Sequence, residues 1–319
     1  MDTTPLKQTL IKTDIDQALS RIETWKSKNI TYELMTIGIT NPNYKVTVDG
    51  EHFFLKIPGA GTEAFIDRNN CHQANIIGME TGIGPKVLYY FEDTGVEVWE
   101  WMSNHRPVMF GDIYNENIFR KIATAAKTFH NIEGKYLPVK QTLFEQAWQM
   151  VKLADNGGYL PPWYNRMVFI LKEIEEAVLA DGIDYKPCHN DFWTANFMYD
   201  DSADDFKLID YEYASMNDPY NDLGCYSTTN YLTEAMDVEL CKIYHDGWDE
   251  KGFAKMKLYK IAADIKWGFW ALQQYLNSDV KFDFMNWYGM KSARLQHLWL
   301  DPRLDYWLNL LNGKSAFRK

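Results

Sequence analysis

Cys188-His189-Asn190-Asp191-Phe192-Trp193-Thr194-Ala195-Asn196, followed by Ile209-Asp210-Tyr211-Glu212, is the stretch from which the fold of this chain can be read. Asp191 and Asn196 stand five residues apart where a tight loop is expected, and Asp210 comes 14 residues after the Asn at the end of a short apolar run. A carboxylate beside an acceptor hydroxyl can orient it and take its proton. An amide and a second carboxylate can hold Mg²⁺ against nucleotide phosphates. The order H-x-D-x-x-x-x-N and then Asp therefore suits phosphoryl transfer. Cys188, at the edge of the loop, reads as a small packed residue, not a nucleophile.

Working outward, residues 185–215 read as short strands and loop. Helical stripes precede them: Ile118, Ile122, Ala125 and Phe129, then Leu143, Ala147 and Val151, then Met167, Ile170, Ile174 and Val178. From residue 230 onward the chain reads as helix again. The first third differs. A helix is expected over 13–25, with Ile15, Leu19, Ile22 and Trp25 on one face and Thr13 or Asp14 as cap. Strands are expected over 32–37, 44–48, 53–57, 87–91 and 96–101, with a helix over 63–80. Asp49-Gly50 is a hairpin signal, because Gly accepts the positive φ of a tight turn. The expected fold is α+β: an antiparallel-sheet lobe over 1–101 and a mainly helical lobe over 102–319, joined by a short crossover near Glu100–Asn104.

Lys56 lies within an apolar strand, where a lysine either snorkels to solvent or points into a cleft. The turn Gly38-Ile39-Thr40-Asn41-Pro42-Asn43 precedes it, and Gly with small polar residues lets backbone N–H groups approach phosphate. Alone, that turn would read as a decorated hairpin. Glu100-Trp101-Met102, at the end of the last N-terminal strand, could offer backbone groups to an adenine ring.

With 319 residues, one large domain or two lobes is expected. A net charge of −11 argues against nucleic acid and anionic membrane as main partners and is compatible with a cationic substrate. Cys71, Cys188, Cys225 and Cys241 show neither C-x-x-C nor zinc spacing, which fits a reducing cytoplasm. Met1-Asp2-Thr3-Thr4-Pro5 carries no basic-then-apolar signal, and no apolar run approaches the ~20 residues that span a bilayer. A homodimer is compatible with the sequence.

These motifs together resemble those of choline/ethanolamine kinases, within the wider aminoglycoside-phosphotransferase and protein-kinase-like superfamily. The resemblance runs from about Gly38 to Arg294. It rests on Gly38, Thr40, Asn41, Asn43 and Tyr44; on Leu55-Lys56-Ile57-Pro58-Gly59; on Phe129-His130; and on the catalytic loop with Leu208-Ile209-Asp210-Tyr211-Glu212. Further along, Asn217 to Gly224, Trp267-Gly268-Phe269-Trp270 and Phe282-Asp283-Phe284 with Tyr288 complete it. The resemblance implies a two-lobe kinase-like fold using ATP and Mg²⁺. It implies Asp191 as base, with His189 bracing the loop and Asn196 and Asp210 on the metal. Glu212 could touch a second metal or the loop, or pair with an Arg. Lys56, Thr40, Asn41 and Asn43 would serve the phosphates, and Glu100 and Met102 the adenine. Asp222 would tie the catalytic loop. Three departures stand out: Cys71 replaces the helix Glu that pairs with the strand Lys, with Glu63 or Glu80 as candidate substitutes; Ile37 replaces a Gly; and Thr229 replaces an acidic residue.

On the acceptor side, Trp267 and Trp270 are three apart on a helix whose core stripe is Ile265, Phe269, Leu272 and Leu276. A Trp pair alone reads as core packing. With Phe282 and Trp287 or Tyr288 close behind, it reads as an aromatic box for a small cationic amino alcohol, choline above all. Asp283 and Glu234 are acidic candidates for a primary ammonium. An aminoglycoside or thiamine kinase, or a non-catalytic nucleotide-binding module, are the competing readings. A protein kinase is disfavoured, since Tyr-Glu follows Asp210 and no A-P-E segment appears.

Overall fold

The computed structural model describes residues 15–35, 41–59, 66–158, 160, 162–278 and 282–312. Thr13, Asp14, Ile37, Gly38, Thr40 and Glu63, named above, lie outside these residues.

Residues 15–20 form α1. Five strands follow: β1 (Ile30–Met35), β2 (Asn43–Val48), β3 (Glu51–Lys56), β4 (Val87–Phe91) and β5 (Val96–Glu100), with α2 (Arg68–Glu80) between β3 and β4. They make one antiparallel sheet in the order β1-β2-β3-β5-β4. Asp49 (φ 51°) and Gly50 (φ 91°) close the β2–β3 hairpin, which fixes Val48 opposite Glu51 and starts β3 two residues before the expected Phe53. Alternate residues Tyr44, Val46 and Val48 are buried against Ile15, Leu19, Ile22 and Trp25. The expected stripe is therefore buried, but the single helix expected over 13–25 is not continuous. Ile22 is extended and Glu23–Trp25 form a separate 3₁₀ turn. On the other side of the sheet, Asn75 and His72 of α2 meet Glu97 of β5. α2 begins at Arg68, five residues later than expected, because the Asp67 side chain accepts the Asn70 N–H and caps it there.

The rest is mainly helical: α3 (Glu116–His130), α4 (Leu143–Asn156), α5 (Tyr164–Asp181), α6 (Tyr220–Thr229), α7 (Glu234–His245), α8 (Glu250–Asn277), α9 (Phe284–Leu298) and α10 (Leu304–Leu311). The expected stripes of α3, α4 and α5 are all buried. α8 is the axis of this part, packed against α4, α5, α6, α9 and α10. No described helix is long and apolar enough to cross a membrane.

α6 and α8 approach to backbone contact at Gly224. A Cβ there would lie 2.6 Å from both Lys260 N and Tyr259 C, atoms that cannot swing aside. Gly224→Ala is expected to cost about 1–3 kcal/mol by overpacking, read as a lowered unfolding midpoint in urea. An unchanged midpoint would show that the helices can separate freely.

Short strands cradle the loop of interest: β6 (Arg106–Pro107), β7 (Lys186–Cys188), β8 (Phe197–Asp200), β9 (Asp205–Leu208) and β10 (Ser215–Asn217). The loop leaves β7 at Cys188 and enters β8 at Phe197. β8 pairs with β9 so that Phe197 faces Leu208, and β10 pairs with β7 so that Ser215 faces Cys188. Two sequence-distant segments, 189–196 and 209–214, are thereby held side by side.

Candidate active site

The Asn196 carbonyl accepts the Ile209 N–H at 3.0 Å, and His189 Nε2 donates to the Ile209 carbonyl at 2.9 Å. These bonds bring Asp191, Asn196 and Asp210 into one cluster. Asn196 Nδ2 donates to the Asp191 carbonyl (2.8 Å) and carboxylate (3.0 Å), which fixes the Asp191 side chain. The Asp191 N–H is 3.3 Å from His189 Nδ1. Asn190 (φ 65°) and Asp210 (φ 67°) are both left-handed, a conformation that Asn and Asp accept more readily than other residues with a Cβ. Asn190 is held there by four side-chain bonds: to the Tyr213 carbonyl, to Ser215 Oγ, and from the amides of Asn217 and Asn221.

Asp222 anchors the loop from beneath. It is fully buried and accepts the N–H groups of His189 and Asn190, both at 2.7 Å, and lies 3.0 Å from His130 Nε2. His130 Nδ1 meets Tyr244 Oη at 3.0 Å, so both ring nitrogens are engaged.

Lys56 reaches across from the sheet. Its Nζ is 2.8 Å from Asp210 Oδ1 and 3.2 Å from Glu212 Oε1. Glu212 also accepts from Arg68 (2.9 Å) and from Asn41 Nδ2 (2.6 Å). The carboxylate partner of Lys56 thus comes from the loop after β9, not from α2. Cys71 of α2 sits beside it, with Sγ 3.6 Å from the Glu212 carbonyl, and Glu80 pairs with Lys135 instead. Glu212 lies in a turn, where a strand was expected. Its side chain is only 5% exposed, whereas that of Asp210 is 42% exposed and opens to the cleft. Arg68 was not foreseen, because nothing in the sequence links it to residue 212.

Electrostatics follow the packing. Burial raises the Asp191 carboxyl above the ordinary range, while His189, the Asn196 amide and Lys266 oppose the rise. Burial pushes Asp210 the same way, but adjacent Lys56 outweighs it and holds Asp210 below the ordinary range. Burial would discharge Lys56, but Asp210 and Glu212 override it and raise its pKa. Cys71 is pushed up to about 12 by burial, which makes it inert as a nucleophile.

The aromatic side chains form a continuous run. Trp193, two residues after Asp191, meets Trp287 edge-on at 5.7 Å between ring centres. Trp287 meets Phe282 (6.1 Å), Phe282 meets Phe284 (4.9 Å), Phe284 meets Trp270 (5.8 Å), Trp270 meets Trp267 (5.6 Å) and Trp267 meets Tyr213 (5.6 Å). Tyr288, expected in this run, is packed in the helical core, where Trp267 is buried too, and the Tyr288 hydroxyl donates to the Pro162 carbonyl at 3.0 Å. Its neighbour Trp287 faces the catalytic loop. The two acidic candidates for the amine are also committed elsewhere: Asp283 caps α9, and Glu234 pairs with Lys257 and Arg303. Glu100 turns its carboxylate to the Lys86 N–H (2.8 Å), and its own N–H donates to the Lys86 carbonyl. That leaves its carbonyl and the neighbouring Trp101-Met102 backbone for any adenine contact.

The family model for choline/ethanolamine kinase matches residues 32–237, which contain Lys56, the loop at 189–196, Asp210 and Glu212. The chain belongs to the choline/ethanolamine kinase family. It is similar to a probable ethanolamine kinase A of Dictyostelium discoideum, 26% identical over 89% of this chain and 88% of the relative. Among solved structures, a choline/ethanolamine kinase family protein from Mesorhizobium loti superposes with a TM-score of 0.81 at 25% identity, covering 94% of this chain and 99% of the other. A LicA structure in complex with AMP superposes with a TM-score of 0.71 at 23% identity, covering 91% and 98%. The protein is accordingly a small-molecule kinase with an alcohol acceptor, built on a two-lobed kinase-like fold.

Proposed function

We propose that the protein transfers the γ-phosphoryl group of ATP directly to the hydroxyl of a small amino alcohol of the choline/ethanolamine class. The carrying observation is the convergence of Lys56, Asp191, Asn196 and Asp210 in one cleft with an aromatic run beside Asp191. ATP lies between the sheet of residues 1–101 and the helical remainder, 102–319. Lys56 serves its phosphates, Asn41 and Asn43 flank them, and the Glu100–Met102 backbone meets the adenine. Thr40 is assigned to the phosphates by its place in the same turn.

The donor set fits Mg²⁺, which takes hard oxygen ligands. Asn196 spends its amide NH₂ on Asp191 and has its oxygen to offer. Asp210 has one oxygen on Lys56 and a second exposed to the cleft. Bound there, the ion neutralises phosphate charge and orients the transferring group. Asp191 accepts the acceptor's proton as its oxygen attacks, and Asn196 and His189 hold Asp191 in place. Positioning supplies most of the acceleration. Trp267, Trp270, Phe282 and Trp287 enclose the amine end. Cytoplasm, where ATP and Mg²⁺ abound, is the proposed compartment, consistent with four unpaired buried cysteines.

Glu212 is better suited to position Lys56 than to bind a second metal, because Lys56, Arg68 and Asn41 already occupy it. Glu212→Gln is expected to raise the KM for ATP roughly tenfold, the scale of a lost charged hydrogen bond, with a smaller change in acceptor KM. Equal loss on both substrates would point to general unfolding.

The reading is tested by Mg²⁺-dependent ATP consumption across ethanolamine, choline, thiamine and kanamycin. Turnover with the first two supports it. Turnover only with thiamine or kanamycin keeps the kinase chemistry and discards the acceptor class. None at all brings a non-catalytic module forward.

A further inference from the structure

Two asparagines hold the turn that carries Asp210 and Glu212, one from each side. The Asn190 amide, next to Asp191, donates to the Tyr213 carbonyl at 2.8 Å. The Asn70 amide, in the first turn of α2, donates to the following carbonyl, that of Ala214, at 2.7 Å. Asn70 Oδ1 accepts the Val139 N–H at 2.9 Å, so both ends of the side chain are engaged inside the protein. Asn70 is 2% exposed and cannot itself touch a nucleotide in the cleft.

Its neighbours on α2 reach the same turn. Arg68 Nη1 is 2.9 Å from Glu212 Oε1, and Cys71 Sγ is 3.6 Å from the Glu212 carbonyl. Further along the helix, His72 Nδ1 and Asn75 Nδ2 meet the Glu97 carboxylate at 2.8 and 2.7 Å. Glu97 stands opposite Lys56 in the β3–β5 register. One helix therefore ties the strand beside Lys56 to the turn that supplies both carboxylate partners of Lys56.

We propose that Asn70 is a positioning residue for the phosphoryl transfer: by holding the Ala214 carbonyl, it keeps Glu212 against Lys56. The inference rests on the reading of Lys56 as the lysine that serves the ATP phosphates. A buried carbonyl that loses its donor is costly, and the backbone shifts to satisfy it elsewhere. Glu212 is two residues from Ala214, so such a shift reaches its side chain. The Glu212–Lys56 contact, at 3.2 Å, is at the long end for a hydrogen bond and tolerates little displacement. α2 has no carboxylate at Cys71 to give Lys56. Through Asn70 it acts on Lys56 at one remove, by fixing the turn that does.

The test compares Asn70→Asp and Asn70→Ala with wild type in steady-state kinetics, with urea unfolding alongside. Both variants lose the donor to Ala214. The aspartate still accepts from Val139, and the alanine adds no charge, so an effect common to both belongs to the Ala214 bond. The expected result is a KM for ATP raised roughly three- to tenfold in both, the scale of one lost hydrogen bond, with the acceptor KM within about twofold of wild type. Combined with Glu212→Gln, either variant should leave the KM for ATP close to that of Glu212→Gln alone, because residues acting through one contact do not add. A wild-type KM for ATP in either variant overturns the proposal, as does full multiplication of the two effects. Equal loss on both substrates with a lowered unfolding midpoint makes Asn70 a structural residue only and overturns it as well. If Asn70→Ala does not fold, Asn70→Asp alone and with Glu212→Gln decides. All these outcomes leave the wild-type kinase reading intact, whereas no ATP turnover by the wild type would sink that reading and this inference with it.

Discussion

Asp191→Ala is expected to lower kcat by roughly 10²–10⁴-fold, the usual contribution of a positioned general base, while ATP affinity stays nearly unchanged. The asymmetry follows from the contacts. Asp191 is held by the Asn196 amide and by the His189 ring, whose Nδ1 faces the Asp191 N–H. Lys56, assigned to the nucleotide, is bonded to Asp210 and to Glu212, not to Asp191. Steady-state kinetics with nucleotide binding by calorimetry separate the two effects. A kcat within a few-fold of wild type would remove Asp191 from the mechanism.

The same residue sets a pH dependence. Because burial raises the Asp191 carboxyl, kcat/KM should fall on acidification through a value above the ordinary carboxylate range. A carboxyl whose pKa is raised in the folded state binds its proton more tightly there than in the unfolded chain. Its ionisation therefore costs stability as pH rises through the folded value. Asp191→Asn removes that cost, so the inactive variant should melt above wild type at neutral pH. A lower melting temperature would show that the Asp191 charge stabilises the loop instead.

Asp222→Ala is expected to be the most damaging single change to stability, at about 3–5 kcal/mol, because it strands several buried donors at once. The N–H groups of His189 and Asn190 and the His130 ring all lose their acceptor. Activity should fall with it, since the loop that aims Asp191 hangs on those bonds. The Asp222 pKa carries the opposite sign from that of Asp191. Burial raises it, but the His130 hydrogen bond and the neighbouring imidazoles outweigh that and hold it low. Its stabilisation is therefore present above the ordinary carboxylate value and lost as pH falls through the lowered one. Asp222→Asn, which keeps one acceptor oxygen, should fall between wild type and Asp222→Ala in urea unfolding. Near-wild-type stability of Asp222→Ala would mean that water replaces the carboxylate.

Much of this architecture is legible in the chain because it is written in local chemistry. Asp49-Gly50 announces its hairpin, and the stripes of α3, α4 and α5 announce their buried faces. The spacing from His189 to Asp210 brings Asp191, Asn196 and Asp210 onto adjoining loops. What is not legible depends on distant segments. The helix expected over 13–25 breaks after residue 20, yet its stripe stays buried because a 3₁₀ turn carries Trp25 onto the same sheet. Cys71 opened a question that the sequence could not answer, since Glu212 meets Lys56 only once β9 and β3 are placed across one cleft. Arg68 and Asn41 join that carboxylate from two further segments. Tyr288 and Trp287 are adjacent in sequence, and helix rotation alone decides which one faces Trp193.

The most direct test of the central claim is phosphorus NMR of a completed reaction of purified protein with MgATP and ethanolamine. The account predicts ADP and a phosphomonoester of the amino alcohol in equal amounts, with neither formed by Asp191→Ala. ADP accompanied only by inorganic phosphate, or a phosphomonoester formed equally well without Asp191, would contradict it.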